Sequence, residues 1–148
     1  MSLLVIGSLA LDTIETPFGK AERTLGGSAT FISTSASYFV NPVRLVGIVG
    51  YDFPETEIEF LKSKNIDISG LEISDTKKTF HWHGKYNFDL NPLVSLFTVL
   101  NAIETFDLVI SDKSRDSEYV CIGNLHTAIQ NTVVKQITYP KLIIIATK

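Results

Sequence analysis

Two adjacent glycines, Gly26 and Gly27, stand directly before a segment of helical spacing and restrict how this chain can fold. That segment, residues 28–40, is rich in small side chains. An apolar run over 43–49 follows it, and a Gly-x-x-Gly-x-Asp turn then ends at Asp52. Glycine lets backbone approach a ligand without an obstructing Cβ, and the N–H groups at a helix start favour an oxygen-rich or anionic ligand. A tight strand-to-helix turn without a ligand explains the same glycines, so spacing alone leaves both interpretations open.

Short continuous apolar runs predict strands that are covered on both faces. They occupy residues 3–7, 43–49, 119–123 and 141–146. Helices are predicted over 28–40, over 54–64, and after Thr127, which can act as the N-cap. The polar stretch 111–118 predicts a loop, and 91–106 fits either a helix or a strand, with β-favouring residues tilting it towards strand.

Asp12 follows the first apolar run of the chain. In open α/β sheets, ligands bind at the carboxyl ends of the strands. The Asp12 carboxylate could therefore accept hydrogen bonds from substrate hydroxyls. An aspartate that only forms a turn or a cap is the other interpretation.

Two polar regions predict strands outside the main sheet. Residues 13–24 read as a hairpin with turn chemistry at Pro17-Phe18, and residues 66–87 alternate as short strands. In such a strand His81 and His83 share one face, while Phe80 and Trp82 share the other. The histidines could chelate a metal, but no third ligand is evident nearby, and an aromatic face is more often packing than a ligand platform.

Composition narrows the function classes. The chain has 148 residues, 45% of them hydrophobic and 20% charged, which is typical of one folded domain. Its net charge of −3, with no basic run longer than Lys77-Lys78, gives no footprint for nucleic acid. Cys121 is the only cysteine and reads as a packed core thiol in a reducing compartment, the cytoplasm. The N-terminal apolar run is interrupted by Gly7 and Asp12, so it predicts a buried strand rather than a signal peptide or membrane span.

The last apolar run, Leu142–Ile145, is patterned for burial on both faces, yet no later helix in these residues could cover it. An exposed apolar edge invites association. The pattern therefore predicts an architecture that is cut in half, and it leaves open a homo-oligomer formed through an exposed sheet edge.

Several pieces of the sequence, in this order, together resemble the ribokinase-like (PfkB-type) carbohydrate and nucleoside kinases. The pieces are Gly7-Ser8 with Asp12, Leu25–Ala29, Val46–Asp52, Asn65–Leu71, Thr79-Phe80, Trp82, Gly84–Tyr86, Asp89, Leu100-Asn101, Gly123–Leu125 and Pro140–Leu142. The resemblance covers nearly the whole chain, residues 1–148, but only the N-terminal, acceptor-binding half of such a kinase.

The resemblance implies an α/β fold: a three-layer α/β/α sandwich, Rossmann-like with a mostly parallel sheet, carrying a small β-sheet lid. Strands at about 13–24 and 68–88 would form the lid, with Phe80 and Trp82 on it; the lid is a second surface through which copies could associate. Asp12 would bind hydroxyls of a sugar or nucleoside. The sugar would lie on a floor of Gly26 and Gly27, with Ser28 beside them and Asn124 at a neighbouring strand end.

The chain also departs from the family pattern. Thr30 or Phe31 stands where the family usually has a substrate-binding asparagine, Pro54-Glu55 replaces a glycine, and Ala146-Thr147 replaces an expected aspartate. The Gly-Ala-Gly-Asp motif, which supplies the anion hole and the catalytic base, does not occur in these 148 residues, nor does a P-loop. We therefore assign no catalytic residue and no metal ligand. ATP and Mg²⁺ are the cofactors of the intact family, and we expect this chain alone to bind neither.

These observations suggest three candidate functions for the chain. The first is ATP-dependent phosphorylation of a sugar or nucleoside hydroxyl, with this chain as the acceptor-binding half and inactive alone. The second is a non-catalytic module that binds a small polyol or nucleoside, or a partner through its open sheet edge. The third, a dinucleotide-binding oxidoreductase, is weak because the residues after Gly7 contain no Gly-x-Gly-x-x-Gly motif.

Overall fold

The computed structural model describes residues 1–90 and 93–146, and within them the chain forms two sheets. The larger sheet consists of β1 (Leu3–Ile6), β4 (Val43–Gly50), β5 (Ile66–Ser74), β8 (Tyr119–Ile122) and β9 (Leu142–Ile145). All its pairings are parallel, in the order β5-β4-β1-β8-β9. The apolar runs predicted as buried strands thus lie side by side.

Helices cover the larger sheet on both faces, because the strands bury apolar side chains in both directions. Val5 of β1 packs in a core with residues of α1 (Ser28–Ala36) and α2 (Glu55–Ser63). Its neighbours Leu4 and Ile6 pack in a second core with α4 (Thr127–Gln136). The structure therefore confirms the predicted α/β class with three layers.

The smaller sheet consists of β2 (Ala10–Thr16), β3 (Gly19–Gly26), β6 (His81–Tyr86) and β7 (Leu93–Val99). Their order in the sheet is β3-β2-β6-β7. β2 and β3 form the predicted hairpin, whose turn lies at Pro17-Phe18. A two-stranded hairpin is marginal alone, and here β2 is extended by parallel pairing with β6.

The predicted bounds of the lid need correction. Residues 68–74 belong to β5, which pairs in parallel with β4 at the edge of the larger sheet. Their alternating pattern indicated a half-covered strand, and an edge strand of either sheet satisfies that pattern. β7, by contrast, joins the smaller sheet.

Three local predictions also differ from the structure. α1 ends at Ala36, and the exposed Tyr38 and Phe39 that follow have no core to join. The stretch predicted as a loop over 111–118 contains a short helix, α3 (Asp112–Arg115). The cap of α4 is His126, whose Nδ1 accepts from the Ala128 N–H at 3.3 Å, rather than Thr127.

Other expectations are met in part. The ambiguous stretch 91–106 forms strand β7 and then a 3₁₀ turn over Asn101–Thr105, while residues 91 and 92 lie outside the described part. The departure noted at Ala146-Thr147 likewise falls partly outside it, at Thr147.

The Cys121 thiol is partly buried, and burial raises its pKa. No helix in the described residues is long and apolar enough to cross a membrane.

Candidate functional site

Ser8 and Ser28 join the end of β1 to the first turn of α1. The Ser28 N–H donates to Ser8 Oγ at 3.0 Å, the Ala29 N–H donates to the Ser8 carbonyl at 3.0 Å, and the two hydroxyls lie 3.1 Å apart. The protein itself therefore satisfies the N–H groups of Ser28 and Ala29. These two groups are not free for an anionic ligand.

Glycines make this close approach between β1, β8 and α1 sterically possible. A Cβ at Gly7 would lie 2.7 Å from Ser28 Oγ, and one at Gly123 would lie 2.3 Å from it. Gly27 has a φ of +94°, and its Cβ would lie 2.3 Å from the Ser8 carbonyl oxygen. Gly27 thus serves the tight turn that was one of the two interpretations of the glycine pair.

Gly26 has a different role, because its missing side chain makes room for Asp12. Asp12 lies within β2, opposite β3, rather than in the loop after β1. A Cβ at Gly26 would lie 1.9 Å from Asp12 Oδ2. Asp12 and Gly26, predicted to share a site from separate parts of the sequence, are therefore in direct contact.

Asp12 is held by neighbours on both sides, but its carboxyl group is only partly hydrogen-bonded. The backbone N–H of Trp82 donates to the carboxyl group, and the Thr24 hydroxyl donates to the Asp12 carbonyl oxygen at 3.2 Å. Oδ1 is buried and has no hydrogen-bond partner. Burial raises the pKa of Asp12 from the ordinary 3.8 to about 6, and the bond from Trp82 opposes that rise.

A cavity of about 580 Å³ opens beside this junction. Its polar lining residues are Ser8, Thr98, Glu104, Asn124 and His126, and its apolar wall consists of Phe80, Leu100, Ile103, Phe106, Leu125 and Ile129. Asn124 follows β8 as predicted and is exposed to the cavity. Asp12, Gly26, Gly27 and Ser28 do not line it, and Ser8 connects the two groups through its bonds to Ser28.

The aromatic residues predicted on the lid lie in different environments. Phe80 lines the cavity, and its carbonyl oxygen accepts from the Leu11 N–H at 2.9 Å. The Trp82 ring instead packs over Gly84, and its Nε1 donates to Ser95 Oγ at 2.9 Å. Trp82 therefore reaches Asp12 through its backbone rather than its ring.

His81 and His83 bond to protein groups. His81 Nε2 lies 3.1 Å from Thr13 Oγ1, and His83 Nε2 lies 2.8 Å from Glu15 Oε1. Both rings pack edge-on against Phe97. Over residues 1–90 and 93–146, no three His, Cys, Asp or Glu side chains come together as a metal site.

The overall geometry matches known structures. The nucleoside kinase of Methanocaldococcus jannaschii, an archaeal member of the ribokinase family, aligns with 97% of this chain at a TM-score of 0.80 and 20% identity. The chain has the ribokinase-like fold. Arabidopsis thaliana ribokinase, solved with ribose and ATP, aligns with 97% of the ribokinase-like chain at a TM-score of 0.75 and 16% identity.

Sequence comparison gives a further similar protein, which is also named as a kinase. The cytidine kinase of Thermococcus kodakarensis is 37% identical over 89 residues, which is 60% of this chain and 31% of that protein. The ribokinase-like chain spans about half the length of the two solved kinases, 51% and 52%. No family model matches it.

Sequence reasoning missed some residues of the site. Ser8 joins α1 to the cavity, and its signal was its position directly after a strand and Gly7. His126 and Phe106 also line the cavity, but nothing in their local sequence distinguishes them. The roles of Asp12, Gly26, Gly27, Ser28 and Asn124 in binding stay predictions.

The raised pKa of Asp12 predicts a pH-dependent effect of Asp12→Asn. The folded state holds its proton up to about pH 6, whereas the unfolded chain loses it near 3.8. Asp12 therefore lowers stability as pH rises through this window, because the charged form is disfavoured by burial. We expect Asp12→Asn to raise the melting temperature relative to the unmodified chain at pH 7 and to have little effect at pH 3.5. An equal shift at both pH values would contradict the burial of this carboxyl group.

Alanine substitutions at Gly26 and Gly27 are predicted to have different effects, because Gly26 contacts Asp12 and Gly27 forms the turn before α1. Gly27→Ala should cost about 1–3 kcal/mol in urea unfolding, because of its positive φ and its contact with the Ser8 backbone. Gly26→Ala should cost less, because Asp12 Oδ2, the end of a side chain, is the nearest atom to the new Cβ and the side chain can rotate. It should instead change the Asp12 titration followed by NMR. Equal losses of stability, with an unchanged Asp12 titration, would refute this division.

Proposed function

We propose that this chain is the acceptor-binding half of a PfkB-type, ATP-dependent kinase that phosphorylates a hydroxyl group of a sugar or nucleoside. The observation that carries the proposal is the Asp12 carboxyl group, whose buried Oδ1 lacks a hydrogen-bond partner. A buried polar atom left unpaired costs free energy, so such an atom is explained best by a ligand that completes it. A carboxylate accepts hydrogen bonds only, which suits the donor hydroxyls of a polyol.

The neighbouring cavity supports a small ligand of mixed polarity. Its polar edge at Ser8 and Asn124 could bond hydroxyl or amide groups, while its wall is apolar and includes Phe80. Small-molecule sites usually combine an apolar lining with a few polar groups that set orientation. The names of the similar proteins, a cytidine kinase, a nucleoside kinase and a ribokinase, support the same class of acceptor.

In the proposed reaction the acceptor oxygen attacks the γ-phosphorus of ATP, the hydroxyl proton passes to a base, and ADP leaves. This chain would contribute the first part only, by holding the acceptor hydroxyls. The 148 residues contain no Gly-Ala-Gly-Asp motif and no P-loop. The described residues gather no set of carboxylates for Mg²⁺. We place donor binding, Mg²⁺ and the catalytic base on polypeptide outside these residues, and the protein in the cytoplasm, in keeping with its single cysteine.

Acceptor binding without phosphoryl transfer is the expected behaviour of this chain. Calorimetric titration should detect binding of cytidine or ribose, and Asp12→Asn should weaken that binding at least about tenfold, because it removes the charged acceptor. Labelled ATP should transfer no phosphate to either compound, since positioning and charge neutralisation of the donor are lacking. Absence of binding for both compounds would refute the proposed site. Measurable phosphate transfer would refute the assignment of donor binding and catalysis to polypeptide outside these residues.

A second function is favoured by the edge strand β9. In the described sheet it pairs only with β8, and Leu142, Ile144 and Ile145 are 50%, 53% and 44% exposed. We infer as the alternative a non-catalytic module that binds a partner along this apolar edge. The opposite edge of the same sheet, β5, carries Asp67 and Glu72 and is less suited to association.

Light scattering can decide whether the β9 edge associates. If it does, the chain should form dimers or larger species at micromolar concentration, and Ile144→Lys should return it to a monomer because a charge on an edge strand blocks pairing. Glu72→Lys on β5 is the matched control and should leave the association unchanged. A monodisperse monomer for the unmodified chain would contradict the alternative.

A further inference from the structure

A polar cluster lies where the chain passes from the larger sheet to the smaller one. Asp52, just after β4, accepts from the Thr79 N–H at 2.7 Å through Oδ1. Its Oδ2 accepts from Arg23 Nη2 at 2.8 Å. Asp52 thereby connects the end of β4 to two parts of the smaller sheet. It bonds to β3 through Arg23 and to the segment that leads into β6 through Thr79.

The Thr79 segment is fixed from several sides. Thr79 is buried, its Oγ1 accepts from the Gly50 N–H at 2.9 Å, and its carbonyl oxygen accepts from Asn101 Nδ2 at 2.9 Å. A Cβ at Gly50 would lie 2.1 Å from the Lys78 carbonyl carbon, so the segment lies directly on the end of β4. The backbone N–H, the hydroxyl oxygen and the carbonyl oxygen of Thr79 thus each take part in a hydrogen bond.

The same two residues stand next to the groups that hold Asp12. Arg23 precedes Thr24, whose hydroxyl bonds to the Asp12 backbone. Thr79 precedes Phe80, whose carbonyl accepts from the Leu11 N–H, and Trp82, two residues further on, donates to the Asp12 carboxyl group. Asp12 lies on β2, between β3 and β6, and Asp52 connects Arg23 of β3 and Thr79, which precedes β6, to the end of β4.

We propose that Asp52 is a positioning residue for acceptor binding, which fixes Asp12 relative to the larger sheet through Arg23 and Thr79. The inference rests on the function proposed above and assigns Asp52 no contact with the ligand. Asp52 is suited to this task because it stays charged: burial acts to raise its pKa, but the bonds from Thr79 and Arg23 outweigh burial and lower it. Charge-assisted bonds of this kind are short and directional, so they set position as well as stability.

Asp67 provides a matched control. It also accepts from a backbone N–H, that of Ser69 at 3.0 Å, and from a cation, Lys113 Nζ at 2.8 Å. It connects β5 to α3 rather than one sheet to the other. Asp52→Asn and Asp67→Asn therefore remove equivalent charges, of which only one is linked to the surroundings of Asp12.

The experiment measures two quantities in each variant of the 148-residue chain. The first is the affinity for cytidine and for ribose by calorimetry. The second is the titration midpoint of the Asp12 carboxyl group by NMR of isotope-labelled aspartate, assigned with Asp12→Asn. We expect Asp52→Asn to weaken binding at least about tenfold and to move the Asp12 midpoint from about 6 towards its ordinary value, as solvent reaches a displaced carboxyl group. Asp67→Asn should leave both within about twofold and a few tenths of a pH unit.

The outcomes separate this inference from the proposed function. If the unmodified chain binds neither compound, the proposed function fails, and the Asp12 midpoint alone decides whether Asp52 positions Asp12. If Asp52→Asn keeps both the affinity and the midpoint, or if Asp67→Asn changes them as much, the positioning role is refuted. Should Asp52→Asn not fold, Arg23→Met removes the same ion pair and is subject to the same two measurements, with Arg23→Lys expected to restore them.

Discussion

The structure depends on the contact between the start of α1 and the ends of β1 and β8. Three positions there, Gly7, Gly27 and Gly123, have no space for a Cβ, and the Ser8 and Ser28 hydroxyls occupy the gap. Because the backbones approach so closely, the residue before the helix turn, Gly26, is held at the end of β3. β3 pairs with β2 in antiparallel register, and Ala10 lies opposite Gly26. This register places Asp12, two residues further along β2, beside Gly26.

At Asp12, this close packing leaves a carboxyl group whose hydrogen-bonding capacity is only partly satisfied. Its carboxyl group receives one backbone hydrogen bond, lies against a glycine, and keeps one buried oxygen unpaired. A core optimised for stability alone would pair or remove that oxygen. Perturbed carboxyl groups of this kind concentrate at functional sites, where binding requires groups that the folded protein does not satisfy by itself. The buried, unpaired oxygen of Asp12 both lowers the stability of the folded chain and is the acceptor proposed to bind a hydroxyl group.

The sequence predicted the parts of the fold that depend on local pattern. Continuous apolar runs located β1, β4, β8 and β9, since strands buried on both faces need apolar side chains in both directions. The sheet to which β5 belongs was not predictable, because alternation reports one covered face and not the identity of the neighbour. The N-cap at His126 was missed because threonine is the commoner cap. Contacts between distant residues, such as Trp82 with Asp12, leave no local pattern at all.

The two sheets contribute different parts of the proposed site, so its affinity depends on how firmly they are joined. The larger sheet carries Ser8 and Asn124, and the smaller one carries Asp12. An apolar contact between them would tolerate sliding, because burial of area is non-directional. Two charge-assisted bonds to a single carboxylate, at Asp52, define both distance and orientation. Directional bonds of this kind can keep the Asp12 carboxyl group, which we propose binds hydroxyls, aligned with polar groups on the other sheet. Aliphatic side chains in place of Arg23, Asp52 and Thr79 would supply no such alignment.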